Sequence, residues 1–115
     1  MEWLLHRFHW EARMDQEGWR YFLALCLAAQ DEKTLSELLD LLLTPEEKVS
    51  LEMRCLVIKA LLEQKKPQRQ ISEDLKVSIA KITRGSNELK RISPRLKEYL
   101  RKHLLGFASR DVPRK

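Results

Sequence analysis

The segment 68–87 constrains this chain most, because two short amphipathic patterns flank a three-residue gap there. Its apolar residues recur at the spacing that lets two short helices bury facing sides at a steep crossing angle. These residues are Ile71, Leu75, Val77 and Ile82. The turn covers residues 76–78, and Ser78 can cap the second helix by accepting a backbone hydrogen bond, so that Ile79 begins it. The segment therefore predicts a helix-turn-helix.

The second helix of this motif divides into three faces on a helical wheel. A core face contains Ile82, Ser86 and Leu89. A second face of small, hydroxyl, amide and basic side chains suits the major groove of DNA. Its members are Ile79, Ala80, Thr83, Asn87 and Lys90. The third face holds Arg84, Gly85 and Glu88. Because an interior helical glycine costs about 1 kcal/mol relative to alanine, we expect another group to approach the backbone closely there.

Three runs of residues resemble the Trp repressor family. They are Ile-Thr-Arg-Gly-Ser-Asn at 82–87, Leu-Thr-Pro-Glu-Glu at 43–47 and Gln-Arg at 68–69. The resemblance covers about residues 16–105, and the spacing of Thr44, Arg54, Arg69 and Arg84 also fits the family. It implies an all-α fold of about six helices with a helix-turn-helix, assembled as an intertwined homodimer. It further implies a repressor of tryptophan biosynthesis or transport operons, with L-tryptophan as corepressor and a double-stranded DNA operator as target.

The resemblance also implies a ligand site. It places the indole ring between Arg54 and Arg84, whose planar guanidinium groups can stack on a ring face and bind a carboxylate at two points. Gly85 leaves room for the ligand, and the other subunit contributes residues that meet the ammonium group and the ring. The implied ligand-binding residues are Leu41, Leu43, Thr44, Arg54, Arg84, Gly85 and Glu88.

Glu88 departs from the family, which often has a small or hydroxyl residue at this position. Its carboxylate can bind the ammonium group of the ligand directly. It can instead pair with Arg84, four residues earlier on the same helix. Both interpretations stay open, and they concern the affinity for the ligand more than its identity.

The predicted DNA contacts begin at the N-terminus of the first motif helix, where backbone N–H groups favour phosphate. The predicted DNA-binding residues are Gln68, Arg69, Ser72, Ile79, Ala80, Lys81, Thr83 and Lys90. Ser72 and Lys81 replace a lysine and a threonine that are commoner in the family, so operator preference is expected to differ. Lys76 replaces the turn glycine, and a positive φ there would cost roughly 1–2 kcal/mol.

The charge distribution favours a polyanionic partner. Residues 65–103 carry twelve Lys and Arg against four acidic residues, a net charge of +8, whereas residues 1–64 carry −5. The positive half is the half with the motif, as fast electrostatic capture of DNA requires. Without the motif, a solvated basic surface would be the alternative.

The remaining helices are outlined by their caps and apolar spacing. Residues 17–30 have the spacing of an amphipathic helix. Thr34 is expected to cap a leucine-rich helix that is apolar nearly all round, so a second subunit is its natural cover. Thr44 followed by proline predicts the start of the longest helix, and Ser93 followed by proline predicts the last.

Several classes of function find no support. Cys26 and Cys55 lack CxxC spacing and are interpreted as reduced packing residues of a bacterial cytoplasmic protein. No apolar run reaches the length of a membrane span and no signal peptide is recognised, so no membrane partner is expected. His6 and His9 lack a third ligand, so no metal site is predicted. No nucleophile–base pair or phosphate-binding glycine loop supports an enzyme.

The chain is predicted to consist of three segments. Residues 1–15 form an N-terminal extension, which is either genuine or the result of a start assigned upstream of Met14. Residues 16–107 form the helical Trp-repressor-like DNA-binding domain, and residues 108–115 a disordered polar tail.

Two alternative functions stay open. One alternative is a regulator on the same scaffold with an altered or lost ligand. The other is a helical protein-interaction module that binds no DNA, which salt-dependent, sequence-selective DNA binding would exclude.

Overall fold

The computed structural model describes residues 16–105, and all regular structure within them is α-helical. The helices in chain order are α1 (Glu17–Ala28), α2 (Glu32–Leu42), α3 (Pro45–Glu63), α4 (Gln68–Leu75), α5 (Ile79–Arg91) and α6 (Pro94–Leu104). The predicted all-α fold of about six helices with a helix-turn-helix is confirmed. The predicted extension and tail, and the last two residues of the predicted domain, lie outside the described residues.

The chain divides into two compact units at Leu42 and Leu43. The first unit contains α1 and α2, neither of which has a buried residue. Several of their large apolar side chains are exposed, including Trp19 at 57% and Leu27 at 84%. Within this unit, the side chains of Trp19 and Phe22 contact each other through their rings, whose centroids lie 5.1 Å apart.

The start of α2 differs from the prediction. Asp31, rather than Thr34, caps the helix: its Oδ1 accepts a hydrogen bond from the Thr34 backbone N–H at 2.7 Å. The helix begins at Glu32, so the predicted cap at Thr34 is wrong. Aspartate is at least as good a cap as threonine, and Glu32 in the first turn complements the helix dipole. The hydrogen bond from Thr34 lowers the pKa of Asp31.

The second unit begins with the predicted cap of α3. Thr44 Oγ1 accepts from the Glu47 backbone N–H at 3.1 Å, and the Thr44 N–H donates to Glu47 Oε1 at 2.9 Å. This reciprocal capping box, with Pro45 in the first turn, fixes where the longest helix starts. At the other end, Lys59 Nζ lies 2.7 Å from Glu63 Oε2 and lowers the pKa of Glu63. The helix ends where Gln64 adopts a left-handed backbone, with φ 56° and ψ 33°.

The core of the second unit joins three helices. Val57 of α3, Ile71 of α4 and Ile82 of α5 are 5%, 2% and 0% exposed. Partly buried apolar side chains pack around them, namely Ala60, Leu61, Leu75 and Val77. The apolar residues whose spacing predicted the helix-turn-helix therefore belong to this core. One face of α5 packs into it.

Candidate nucleic-acid interface and ligand-binding residues

A cap and a core residue orient α5. The Ser78 Oγ accepts from the Lys81 backbone N–H at 3.3 Å, so the helix begins at Ile79 as predicted. One turn later, Ile82 is fully buried. Because the start and one face of α5 are fixed in this way, the side chains on its other faces occupy defined positions.

The turn before α5 is closed by Ser72. Its hydroxyl donates to the carbonyl oxygen of Val77 at 2.5 Å, and the Val77 N–H donates to the Ser72 carbonyl at 3.1 Å. Lys76, between them, has a left-handed backbone with φ 57° and ψ 43°. This is the strained conformation that the missing turn glycine predicted, at a cost of roughly 1–2 kcal/mol.

Most predicted DNA-binding residues lie on the exposed surface of the helix-turn-helix. Exposed positions are Arg69 of α4 and Ile79, Ala80, Lys81, Thr83 and Lys90 of α5. Gln68, the first residue of α4, is partly buried. Ser72 is also partly buried, and its hydroxyl is bonded to the turn.

Two of the predicted DNA-binding residues contact each other. The Thr83 Oγ1 donates to Gln68 Oε1 at 3.3 Å, which joins the start of α4 to the exposed face of α5. Sequence reasoning missed this bond, because the two residues are 15 positions apart and neither belongs to a local motif that predicts it. The contact brings a phosphate-binding candidate and a base-binding candidate together.

The loop that precedes α4 is held to the helix by polar contacts to Asp74. Lys66, in the preceding loop, pairs with Asp74 near the end of the helix. The Gln70 Nε2 donates to the other oxygen of Asp74 at 2.8 Å. Lys66 and then Gln70 lower the pKa of Asp74 by stabilising its carboxylate. The carboxylate of Asp74 therefore connects the loop to α4.

Gly85 faces α3. A Cβ atom placed on Gly85 would lie 3.3 Å from Val57 Cγ1 and 3.4 Å from Leu61 Cδ1. The expected close approach to the α5 backbone is therefore found, and within the chain α3 makes it. The role of Gly85 toward a ligand stays a prediction.

The other predicted ligand-binding residues are distributed over several elements. Arg54 is exposed on α3, one turn before Val57, and Arg84 is exposed on α5. Within the same unit, Leu43 is partly buried and Thr44 is the α3 cap. Leu41, which belongs to the first unit, is 79% exposed. Along the chain, Arg54 lies three residues before Val57 and Arg84 directly precedes Gly85, which packs on Val57.

Glu88 pairs with Arg91 and not with Arg84. The distance from Arg91 Nη1 to Glu88 Oε2 is 3.5 Å, and both side chains are exposed. An exposed pair of this kind contributes about 0–1 kcal/mol, so it competes weakly with any other partner of the carboxylate. Arg91 was missed by sequence reasoning, although its position three residues after Glu88 was a usable signal.

Within residues 16–105, no group of three or more His, Cys, Asp or Glu side chains could hold a metal ion. Over the same range no helix is long and apolar enough to cross a membrane. Both cysteines are free thiols, Cys26 partly buried and Cys55 exposed. His6 and His9, for which no metal site is predicted, lie outside the described residues.

The comparisons with known proteins agree with this geometry. A sequence model described as "Trp repressor protein" matches residues 17–104. A "Trp operon repressor homolog" of Chlamydia trachomatis serovar D is 46% identical over 90 residues, which is 78% of this chain and 96% of that protein. A protein of the same description from Mannheimia succiniciproducens is 40% identical over 77% of this chain and 88% of that protein. Another, from Haemophilus influenzae strain PittEE, is 36% identical over 76% of this chain and 87% of that protein. The chain therefore belongs to the Trp repressor family of helix-turn-helix, DNA-binding transcriptional repressors.

Proposed function

We propose that this chain represses operons of tryptophan biosynthesis or transport by binding an operator as a homodimer, with L-tryptophan as corepressor, in the bacterial cytoplasm. One observation carries the proposal: α5 has one face in the protein core, and its two other faces, the predicted DNA-binding face and the predicted ligand-binding face, contain exposed side chains. Ile82 is fully buried, while Ile79 and Thr83 are exposed on a second side and Arg84 on a third. A ligand bound on the third face can change how the second face meets DNA.

The DNA-binding face is supported by charge and position. Arg69 follows the first residue of α4, where unpaired backbone N–H groups attract phosphate. Lys90 lies in the last turn of α5, where a basic side chain can reach the DNA backbone. The small side chain of Ala80 allows α5 to approach the base edges closely, and the exposed apolar side chain of Ile79 can contact a thymine methyl group. The net charge of +8 over residues 65–103 supplies the attraction to DNA.

The ligand-binding face is supported by the two exposed arginines. Arg54 lies one turn before Val57 on α3, and Arg84 directly precedes Gly85, which packs on Val57. A planar ligand between two guanidinium groups gains cation–π contacts, and its carboxylate can form paired hydrogen bonds. Such a ligand would connect α3 with α5 and so favour one orientation of the helix that reads DNA.

The dimer is supported by the apolar surface of the first unit. Its two helices bury no residue, and Trp19, Leu27 and Leu41 are each more than half exposed. Large exposed apolar surfaces on a small chain mark an interface, and a second copy is the simplest cover for it. Sedimentation at low micromolar concentration is therefore expected to show a dimer and no folded monomer.

Calorimetric titration with L-tryptophan, in the presence and absence of operator DNA, tests the proposal. We expect tryptophan to bind, and to bind more tightly when operator is present. Arg84→Ala should lose this coupling, whereas Arg95→Ala, which removes an exposed arginine from α6, should retain it. Binding of operator with the same affinity at every tryptophan concentration would contradict the corepressor part of the proposal.

A second candidate is a repressor on this scaffold with a different small ligand. Glu88 favours it, since its exposed carboxylate adds a negative charge to the helix face that holds Arg84. The same titration distinguishes the two candidates. Operator binding without any response to tryptophan would support the second one.

A further inference from the structure

The hydrogen bond between Gln68 and Thr83 fixes the direction of one hydroxyl group on the exposed face of α5. The Thr83 Oγ1 lies 3.3 Å from Gln68 Oε1. A carboxamide oxygen can only accept a hydrogen bond, so the hydroxyl proton of Thr83 points toward α4. A threonine hydroxyl has one proton and two lone pairs, so only its acceptor capacity remains for another partner.

Both residues of this bond belong to helices that are anchored in the core by a buried isoleucine. Thr83 directly follows Ile82, which is fully buried, and Gln68 begins the helix whose Ile71 is 2% exposed. The pair of Lys66 with Asp74 further fastens the start of α4 to its end. The bond therefore joins two helices that pack on the same core.

The other polar atom of the Gln68 amide, Nε2, favours the same orientation of the amide group, with Oε1 toward Thr83. Its Nε2 donates to no described residue, and it lies at the helix start where phosphate is expected. A phosphate oxygen accepts from Nε2 but repels Oε1, so a bound DNA backbone holds Oε1 toward Thr83. DNA binding would thus reinforce the orientation of the amide.

An acceptor-only hydroxyl distinguishes between bases in the major groove. Adenine N6 and cytosine N4 present amino donors there, whereas guanine O6 and thymine O4 present acceptors. We propose that Gln68 is a specificity-determining residue that acts through Thr83 and selects adenine or cytosine at the base that Thr83 faces. The inference rests on the proposed function, because it requires this face of α5 to lie in the major groove.

Operator-variant binding tests the inference with the full chain and saturating L-tryptophan. An operator is first selected from random duplex DNA, and each of its base pairs is then replaced in turn. Unmutated protein should prefer adenine or cytosine over guanine or thymine at one position, by about 2- to 10-fold, the value of one net hydrogen bond. Thr83→Val should lose that preference, which identifies the position that Thr83 reads.

Two variants of Gln68 then separate its effect on specificity from its effect on affinity. Both Gln68→Met and Gln68→Glu lose the amide donor and should bind every operator more weakly. Gln68→Met also frees the Thr83 proton, so the preference at the Thr83 position should disappear. Gln68→Glu keeps an acceptor for that proton and should keep the preference. Gln68→Met should add no further change to specificity in the Thr83→Val background.

Three results would overturn the inference: an unchanged base preference in Gln68→Met, a preference for guanine or thymine at the Thr83 position, or no change of preference in Thr83→Val. Failure of the proposed function has a different signature, since the unmutated protein would then select no sequence from the random duplexes. The two failures are therefore distinguishable in the same set of measurements.

Discussion

Gly85 of α5 faces Val57 of α3 so closely that an added Cβ atom would lie 3.3 Å from Val57 Cγ1. Val57 is 5% exposed and β-branched, so its side chain has little freedom to move away. The size of residue 85 therefore sets how closely α3 and α5 approach. Arg54 lies one turn before Val57 and Arg84 directly precedes Gly85, so this approach also affects the spacing of the two arginines that are predicted to bind the ligand.

Substitution at Gly85 is expected to show this constraint. Alanine gains about 1 kcal/mol in helix propensity but is crowded by Val57 and Leu61, so Gly85→Ala should change the free energy of unfolding by less than about 1 kcal/mol. Gly85→Val should destabilise by roughly 1–3 kcal/mol through overpacking. Gly18→Ala is a control, because a Cβ there meets nothing within 4 Å, and it should stabilise. Urea unfolding measures all three, and equal effects of alanine at both glycines would contradict the constraint.

Lys76 offers a test of backbone strain in the turn. With φ 57° it has the left-handed conformation that glycine adopts without steric cost. Lys76→Gly should therefore raise the free energy of unfolding by about 1 kcal/mol, part of the strain being offset by the greater freedom of glycine in the unfolded chain. Lys76→Val should destabilise, since a β-branched residue tolerates this conformation poorly. Thermal unfolding that ranked valine above glycine would refute the explanation.

The pair of Lys66 with Asp74 predicts a pH dependence. Since Lys66 and Gln70 lower the pKa of Asp74 in the folded state, the pair stabilises the fold above the unfolded pKa. This contribution is lost as the pH falls below about 4, through the lower folded pKa. Asp74→Asn should therefore show a flatter loss of stability in acid than the unmutated chain. Glu73→Gln removes a neighbouring charge and serves as the control in urea unfolding at a series of pH values.

The helix starts could be predicted because capping chemistry is local. Thr44, Ser78 and Ser93 each accept a hydrogen bond from a backbone N–H three residues later, as their sequence contexts predicted. The exception is α2, where Asp31 lies three residues before the expected cap and competes successfully for the same role. Local rules identify the residue types that cap a helix, and they do not rank two candidates that lie one turn apart.

The partners of individual side chains were harder to predict. The partner of Glu88 was expected to be either a ligand or Arg84, and the structure pairs it with Arg91, because residues three and four apart on a helix compete for the same side chain. The bond between Gln68 and Thr83 depends on how α4 and α5 pack, which apolar spacing predicts only in outline. The ligand set stays a prediction, since part of it is expected to come from a second copy of the chain.

Arg84 tests the connection between ligand and operator. If tryptophan strengthens operator binding, operator must strengthen tryptophan binding by the same factor, typically about 5–150-fold. Arg84→Ala should reduce this factor to one while leaving α5 helical, because alanine is the better helix former. Calorimetry in both directions measures the two factors. Unequal factors for the unmutated protein would show that the titrations had not reached equilibrium, and persistent coupling in the variant would exclude Arg84 from the switch.

Glu88 gives the most selective test of the ligand itself. If its carboxylate binds the ammonium group of tryptophan, an analogue without that group should bind more weakly by about 1.5–3 kcal/mol, the scale of a hydrogen bond to a charged group. Glu88→Ser should narrow this difference. The exposed pair with Arg91 competes for the same carboxylate, so Arg91→Ala should widen the difference, though by less than about 1 kcal/mol because surface pairs are weak. Calorimetric titration of tryptophan and the analogue against the three proteins measures these differences. Equal binding of the two compounds by the unmutated chain would show that Glu88 stays with Arg91 and takes no part in ligand recognition.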